Sequence, residues 1–274
     1  MKVFKALLLL FIVSGLFAQN GSRIKANKGR DLTFLPGEKL KYRLHLGFVT
    51  AGVASLEIAN EVHDFQGTPC YKIDIHGRTV GLVDFTYRVK DNWGTYLDTA
   101  KVLPLRSYRY IKEGRYRKNE IVDYDHQNDS VIVHKLNKKT KELERKVPLA
   151  INNRSQGLVS GYYFLRTLDF ESLSVGDTIC MDAFFDDDIY NFEIIYLGKD
   201  KIKTSLGKFK TRVFAPVMEK NRLFNGKDAV KVWISDDDNK IPLKIRASIF
   251  VGALEADLTE AVNVKSPLDK LRLD

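Results

Sequence analysis

From Glu38 onward the side chains alternate in character with a period of two, placing Leu40, Tyr42, Leu44 and Leu46 on one face and Lys39, Lys41, Arg43 and His45 on the other. Successive strand residues point to opposite sides of a sheet, so this pattern specifies a half-buried strand. Gly47 and Ala51-Gly52 interrupt the alternation and Ala54, Leu56 and Ile58 resume it, which reads as an antiparallel pair. The same reasoning predicts strands over residues 71–75, 85–89, 105–111, 119–124 and 130–136, with turn signals at Glu113-Gly114 and Gln127-Asn128-Asp129. It then predicts strands over 178–185, 191–197, 201–205, 209–216, 229–234, 242–250 and 253–258, with Asp236-Asp237-Asp238-Asn239 as a hairpin turn.

One stretch, Asn152 to Leu173, changes period. Leu158, Tyr162, Leu165 and Leu168 recur at spacings of four, three and three, which predicts a helix at about 155–170 with Asn153 or Ser155 as its N-cap. Gly161 in its interior points to close packing against the sheet. The expected fold class is therefore mainly β: a large curved antiparallel sheet or half-open barrel wrapped around one helix. Residues 34–262 read as a single β domain, or as two subdomains meeting near 137–155, where the basic stretch Lys135 to Lys146 and the helix could serve as a hinge. Residues 19–33 read as a flexible segment and 263–274 as a C-terminal tail.

The N-terminus carries a different signal. Lys2 and Lys5 precede an apolar run from Ala6 to Val13 and a Ser14-Gly15-Leu16-Phe17-Ala18 exit. This is the layout of a secretory signal peptide, residues 1–18, cleaved between Ala18 and Gln19. The only cysteines are Cys70 and Cys180, so no lipidated cysteine sits at the cleavage point. The expectation is an exported, periplasmic protein, soluble after cleavage and not a lipoprotein. No later apolar segment approaches the ~20 residues of a transmembrane helix. An oxidising compartment permits a Cys70–Cys180 disulfide, with two separate buried thiols as the alternative.

Charge is uneven. The formal net charge is +9, and residues 101–146 hold thirteen Lys or Arg against seven Asp or Glu. Such a band attracts anionic surfaces. Outside the cytoplasm, anionic lipid or glycan fits better than nucleic acid, and solubilisation of exposed strands is the plainer role. Trp93, Tyr96, Tyr108 and Tyr110 fall in the same β region as Arg106, and flat rings beside guanidinium groups suit sugars and anionic head groups. The candidate ligand contacts are Trp93, Tyr96, Arg106, Tyr108, Tyr110 and Trp233.

Signs of catalysis are sparse. No nucleophile elbow, zinc motif, phosphate loop or dinucleotide fingerprint is present, and His45, His63, His76, His126 and His134 lack metal-ligand spacing. No catalytic residue, metal or cofactor is expected. Two acidic triplets, Asp186 to Asp188 and Asp236 to Asp238, support an alternative reading as a polysaccharide-directed hydrolase, which requires both to converge on one cleft. Asp and Asn are equally the residues of tight turns.

The string Phe34-Leu35-Pro36-Gly37-Glu38-Lys39-Leu40-Lys41-Tyr42, followed by Gly47 and Ala51-Gly52, resembles the opening of the exported bacterial family called domain of unknown function 3108. Agreeing features follow in order. They are Asp91 before Trp93, Leu103-Pro104, Ser160-Gly161-Tyr162-Tyr163 with Leu165-Arg166, Gly207-Lys208-Phe209-Lys210-Thr211, and Val232-Trp233-Ile234-Ser235-Asp236-Asp237 leading to Ile241-Pro242. The resemblance implies an exported, mostly β protein and brings no reaction or ligand. The final tryptophan-bearing strand, acidic turn and proline-led return are also similar in architecture to the open half-barrels of lipoprotein carriers. The expected function is a non-enzymatic binding or carrier module for a lipid-like or anionic glycan ligand in envelope biogenesis. The third reading is an envelope assembly factor that offers a sheet edge or the basic band to a protein partner.

Overall fold

The computed structural model describes residues 32–217, 229–249 and 252–268. The signal segment, nearly all of residues 19–33 and the last six residues of the expected tail lie outside them. In chain order the elements are β1 (Lys39–Leu46), β2 (Val49–Phe65), β3 (Thr68–Thr79), α1 (Gly81–Thr86), β4 (Lys90–Asp98), β5 (Pro104–Glu113), β6 (Tyr116–Asp125), β7 (Ser130–Leu136) and β8 (Leu143–Ala150). After these come α2 (Leu158–Arg166), β9 (Thr178–Phe185), β10 (Asp188–Thr204), β11 (Gly207–Pro216), β12 (Val230–Ser235), β13 (Pro242–Ile249) and β14 (Gly252–Val262).

All fourteen strands form one antiparallel sheet in the order β8-β7-β6-β5-β4-β3-β2-β1-β14-β13-β12-β11-β10-β9. Two meanders, β1 to β8 and β9 to β14, are fused where the first strand pairs with the last, in the register Lys39↔Val262 through Leu46↔Leu254. The sheet does not close into a barrel, which leaves β8 and β9 as its edges. Each edge is guarded. β8 carries Lys146 and Pro148 on a largely exposed strand, and the β9 backbone is engaged by Gln156, whose N–H donates to Asp182 O at 2.8 Å and whose carbonyl accepts from Phe184 N at 2.7 Å.

The alternation read from the sequence sets the two faces. Leu40, Tyr42 and Leu44 of β1 are buried with Ile73, Leu97, Leu243, Leu254 and Leu258 from neighbouring strands. Helix α2 lies against this apolar face through Val159, Tyr162 and Tyr163. It is shorter than the sequence predicts. Neither Asn153 nor Ser155 caps it, because Ser155 turns back onto Asn152 and Gln156 bridges to β9; Gly157 occupies the N-cap, and its N–H donates to Ser160 Oγ at 2.8 Å. Gly161 does mark close packing, since a Cβ there would lie 2.8 Å from Met181 Cε.

Two further expectations change. The strand predicted over 85–89 does not form as one: Phe85 and Thr86 end α1, and only Val89 makes a bridge, to Glu113. Gly81 turns the chain at φ +59, and the Thr79 hydroxyl donates to Asp84 Oδ1 at 2.8 Å, holding the short helix. The stretch read as a hinge is the β7–β8 hairpin, continuous with the sheet.

A buried ion pair ties the start of the chain to the helix and the second meander. Arg166 Nη1 and Nη2 bond Glu38 Oε1 and Oε2 at 2.5 and 2.8 Å. The same guanidinium donates to Thr33 O and Asn239 O, each at 3.0 Å, and lies 5.4 to 5.6 Å from the ring centroids of Phe34, Tyr162 and Tyr163. Burial disfavours the charge, but Tyr162 and Glu38 more than offset it and hold the Arg166 pKa above its ordinary value.

A second lock curls the sheet on itself. The β9–β10 turn places Asp186 and Asp187 at φ 54 and 73, a region Asp tolerates. Asp186 accepts from Arg109 Nη2 of β5 at 2.7 Å and pairs with Lys118 of β6, while Asp187 lies 2.6 Å from Lys135 of β7. Buried Glu120 joins Arg109 and Lys135 at 2.7 and 2.6 Å. Burial opposes charge on Asp186, yet the bonds from Lys118 and Arg109 draw its pKa down to about 2.

Replacing Arg166 with Met leaves Glu38 charged and uncompensated, with an expected cost of about 3–5 kcal/mol in urea unfolding. The double variant Glu38→Leu with Arg166→Met removes both charges and is expected to recover most of that loss.

Candidate functional site

Antiparallel registry brings one row of residues from six strands onto the polar face: Lys41↔Ser55, Ser55↔His76, His76↔Asn92, Asn92↔Tyr110 and Tyr110↔Asn119. This row floors a groove of about 1510 Å³. The β7–β8 turn forms its far wall with Lys138, Lys139 and Lys141, and Lys141 Nζ lies 4.2 Å from the Tyr110 ring centroid.

Eleven Lys or Arg line the groove against two acids, Glu57 and Asp91. Lys39 pairs with Glu57 at 3.0 Å and Lys41 with Glu260 at 2.8 Å. Arg117 donates to the Gly114 and Tyr116 carbonyls. Among the described residues, Arg43, Arg78, Lys90, Lys112, Arg115, Lys138 and Lys139 form no ion pair. A concavity walled by one sign of charge focuses its potential inward and concentrates counter-ions.

Beneath the groove, Asp91 is almost fully buried. Its Oδ1 accepts from Lys112 N at 2.8 Å, while Oδ2 has no partner. Burial, with a smaller contribution from Glu113, pushes its pKa up to about 7 despite the Lys112 N–H.

The structure brings together four of the six residues singled out from sequence. Tyr96, Arg106, Tyr108 and Tyr110 lie on the groove face in an aromatic ladder, with centroids 6.3 Å apart for Tyr96–Tyr108 and 5.7 Å for Tyr108–Tyr110. Phe65 extends the ladder 5.5 Å from Tyr96, with Arg106 over its ring at 5.0 Å. Of the four, only Tyr110 lines the groove. Arg106 is paired with Asp123, and the Tyr108 hydroxyl donates to Asp74 Oδ1 at 2.7 Å. Gly94 makes the ladder possible, because a Cβ there would stand 2.2 Å from Tyr108 Cζ.

Trp93 and Trp233 lie elsewhere. Trp93 is on the opposite face, stacked on Phe185 at 6.0 Å with Arg109 5.6 Å from its ring. Trp233 is on β12, seven strands from β5 in the sheet order, and donates to Asp200 at 2.9 Å. The cations Lys39, Lys41, Arg43, Arg78 and Lys90 are site residues that the sequence does not single out. Their signal is the polar half of the alternation, which by itself marks any solvated face.

The acidic triplets do not converge. Asp186 belongs to the lock at the start of β10, whereas Asp236 pairs with Arg212 at 2.5 Å beside the far part of that strand. Asp188 and Asp200 are twelve residues apart on β10, roughly 40 Å at about 3.3 Å per residue. His45, Glu255 and Asp257 are the one described group with metal-ligand proximity. Lys244 already supplies a cation there, 2.8 Å from Glu255 and 3.8 Å from Asp257. Cys70 on β3 and Cys180 on β9 are not joined in a disulfide.

An apolar hollow lies between α2 and strands β9 to β12, lined by Leu165, Phe170, Ile179, Phe192 and Phe214. Its volume of about 80 Å³ is well below the ~300 Å³ at which ligand pockets begin.

A family model described as a protein of unknown function, DUF3108, matches residues 41–259. The chain belongs to this family. Among curated proteins, none matches the sequence. This DUF3108 protein is similar to a β-barrel-like protein of the DUF1849 domain from Brucella abortus, with TM-score 0.55 and 11% identity over 85% of this chain and 100% of the other. That likeness concerns the fold alone. A candidate exported protein with a YmcC-like fold from Bacteroides fragilis aligns at TM-score 0.30 and 7% identity, over 84% of this chain and 99% of the other. A candidate lipoprotein from Parabacteroides distasonis aligns at TM-score 0.30 and 11% identity, over 85% and 100%. Among the described residues of the DUF3108 chain, no helix is long and apolar enough to cross a membrane.

Asp91 yields a signed pH prediction. Its carboxyl titrates near 3.8 ordinarily and about 7 in the fold, so its contribution to stability is complete below about pH 4 and is lost as pH rises through about 7. Asp91→Asn keeps the acceptor for Lys112 N–H without the charge. Denaturant unfolding is expected to show no gain at about pH 4 and a gain of about 1–3 kcal/mol at about pH 8.

Proposed function

We propose that the groove is the binding site of a non-enzymatic module that holds an extended polyanion, the phosphate- or carboxylate-bearing part of an envelope glycan or glycolipid. The supporting observation is the set of seven cations around one 1510 Å³ concavity that form no ion pair among the described residues. Charges of one sign converging on a hollow destabilise the free protein through mutual repulsion, and an anionic ligand reverses that cost. Tyr110 offers the groove an aromatic surface for a sugar ring beside the cations. The volume suits a headgroup or several sugar units, whereas the 80 Å³ hollow under α2 gives an acyl chain no comparable room. The N-terminal segment, with its cationic start and short apolar run, places the module outside the cytoplasm in this reading.

Dextran sulfate and neutral dextran of the same length separate this reading from general stickiness. Titration calorimetry is expected to show saturable binding of the sulfated polymer alone, weakening as salt is raised. Charge reversal at Lys138, Lys139 and Lys141 to Glu is expected to weaken binding by about tenfold or more. Equal binding of both polymers, or an unchanged affinity in the triple variant, would overturn the proposal.

A further inference from the structure

At one end of the sheet the protein presents large apolar side chains to water. Phe48 is 108% exposed, Phe85 90%, Leu82 82% and Val49 52%. They come from two adjacent pieces of chain. Phe48 sits in the β1–β2 turn and Val49 opens β2, while Leu82 and Phe85 belong to α1, a helix with no buried residue. Leu82 and Phe85 are three apart and therefore share a side of the helix. The helix is held beside β2: Val80 N, at its N-cap, donates to Ala51 O at 3.1 Å. Asp84 is bound by the Thr79 hydroxyl at 2.8 Å and by Arg88 at 2.9 Å. The tip is thus a fixed protrusion whose apolar groups point outward.

Its surroundings are cationic. Arg43, Arg78 and Lys90 line the groove wall that reaches Thr50, one residue beyond Val49, and none of the three has an ion-pair partner among the described residues. The one acid of the helix is neutralised by Arg88. Apolar side chains that protrude within a positive rim match an anionic bilayer, where acyl chains receive the rings and lipid phosphates face the cations. A second copy of the chain fits this surface poorly, since the rim and the net charge of +9 repel an identical partner.

We propose that the Phe48 turn and α1 form a docking tip that inserts Phe48, Leu82 and Phe85 into the interface of an anionic phospholipid membrane. The proposal does not depend on the polyanion reading of the groove, although docking would set the groove mouth against the lipid headgroups.

Co-flotation with vesicles of phosphatidylcholine, with and without phosphatidylglycerol, tests it. The purified protein is expected to float with the anionic vesicles. The variant Phe48→Ser/Leu82→Ser/Phe85→Ser, altered only at exposed positions, is expected to lose about tenfold in partitioning while keeping its affinity for dextran sulfate. A Phe48→Trp variant reports the site directly, with a blue shift of its emission on addition of anionic vesicles. The Lys138, Lys139 and Lys141 reversals are expected to weaken dextran sulfate binding by about tenfold or more and leave that blue shift in place, which distinguishes failure of the groove from failure of the tip. Undiminished flotation of the serine variant, or no blue shift from the Phe48→Trp variant on anionic vesicles, would overturn the docking tip. So would a concentration-dependent dimer that the serine variant abolishes, because the surface would then belong to a second copy.

Discussion

One guanidinium holds three distant parts of this chain in register. Arg166 ends α2, bonds both oxygens of Glu38 just ahead of β1, and donates to Asn239 in the β12–β13 turn. Each partner lies in a different part of the fold, so the group fixes the helix against the seam where the two meanders fuse. The site is costly to build, since both charged side chains are at most 1% exposed. A bidentate carboxylate, two carbonyls and three aromatic faces leave little of the guanidinium unsatisfied, and such pairs are better read as fixing geometry than as adding net stability.

With the seam fixed, curvature follows from the lock at Asp186 and Asp187. A fourteen-stranded open sheet must curl or split to cover its apolar face. Here the β9–β10 turn reaches across to β5, β6 and β7, using Arg109, Lys118 and Lys135 as anchors. Phe185, the last residue of β9, stacks on Trp93 and lies 4.7 Å from Arg109. The apolar face is consumed by this folding over and by α2. Among the described residues the hollow under α2 is left with about 80 Å³, whereas the groove of about 1510 Å³ lies on the polar face, so its lining is basic rather than apolar.

Much of this architecture is legible in the amino-acid order, and the exceptions have physical causes. Strands β7 and β9 can be read to their ends because each alternates between turn residues. Strand β4 escapes the pattern: Lys90–Asp98 has Gly94 where a side chain would define it, and its place on that face is filled by the Tyr108 ring. Strand β8 escapes it because it is an exposed edge whose residues need no apolar alternation. The helical spacing overextends α2 because Ser155 closes a turn onto Asn152 and Gln156 pairs with β9 before helical geometry begins. For the site, Tyr96, Arg106, Tyr108 and Tyr110 are recoverable because they lie close in sequence on adjoining strands. The cations of β1, β3 and β4 are not, since only the strand order places them around the same groove as the β7–β8 turn. Trp93 and Trp233 are drawn in by residue type, although backbone parity and strand order separate them from the groove.

The seam also governs when the molecule can assemble. Lys41 of β1 meets Glu260 of β14 across 219 positions of chain, while most other strand pairs are local hairpins. The early meander can gather as it emerges, but its first strand waits for the last one. Contacts this remote slow the final step. The sheet therefore stays open between its two meanders until β14 is there to meet β1.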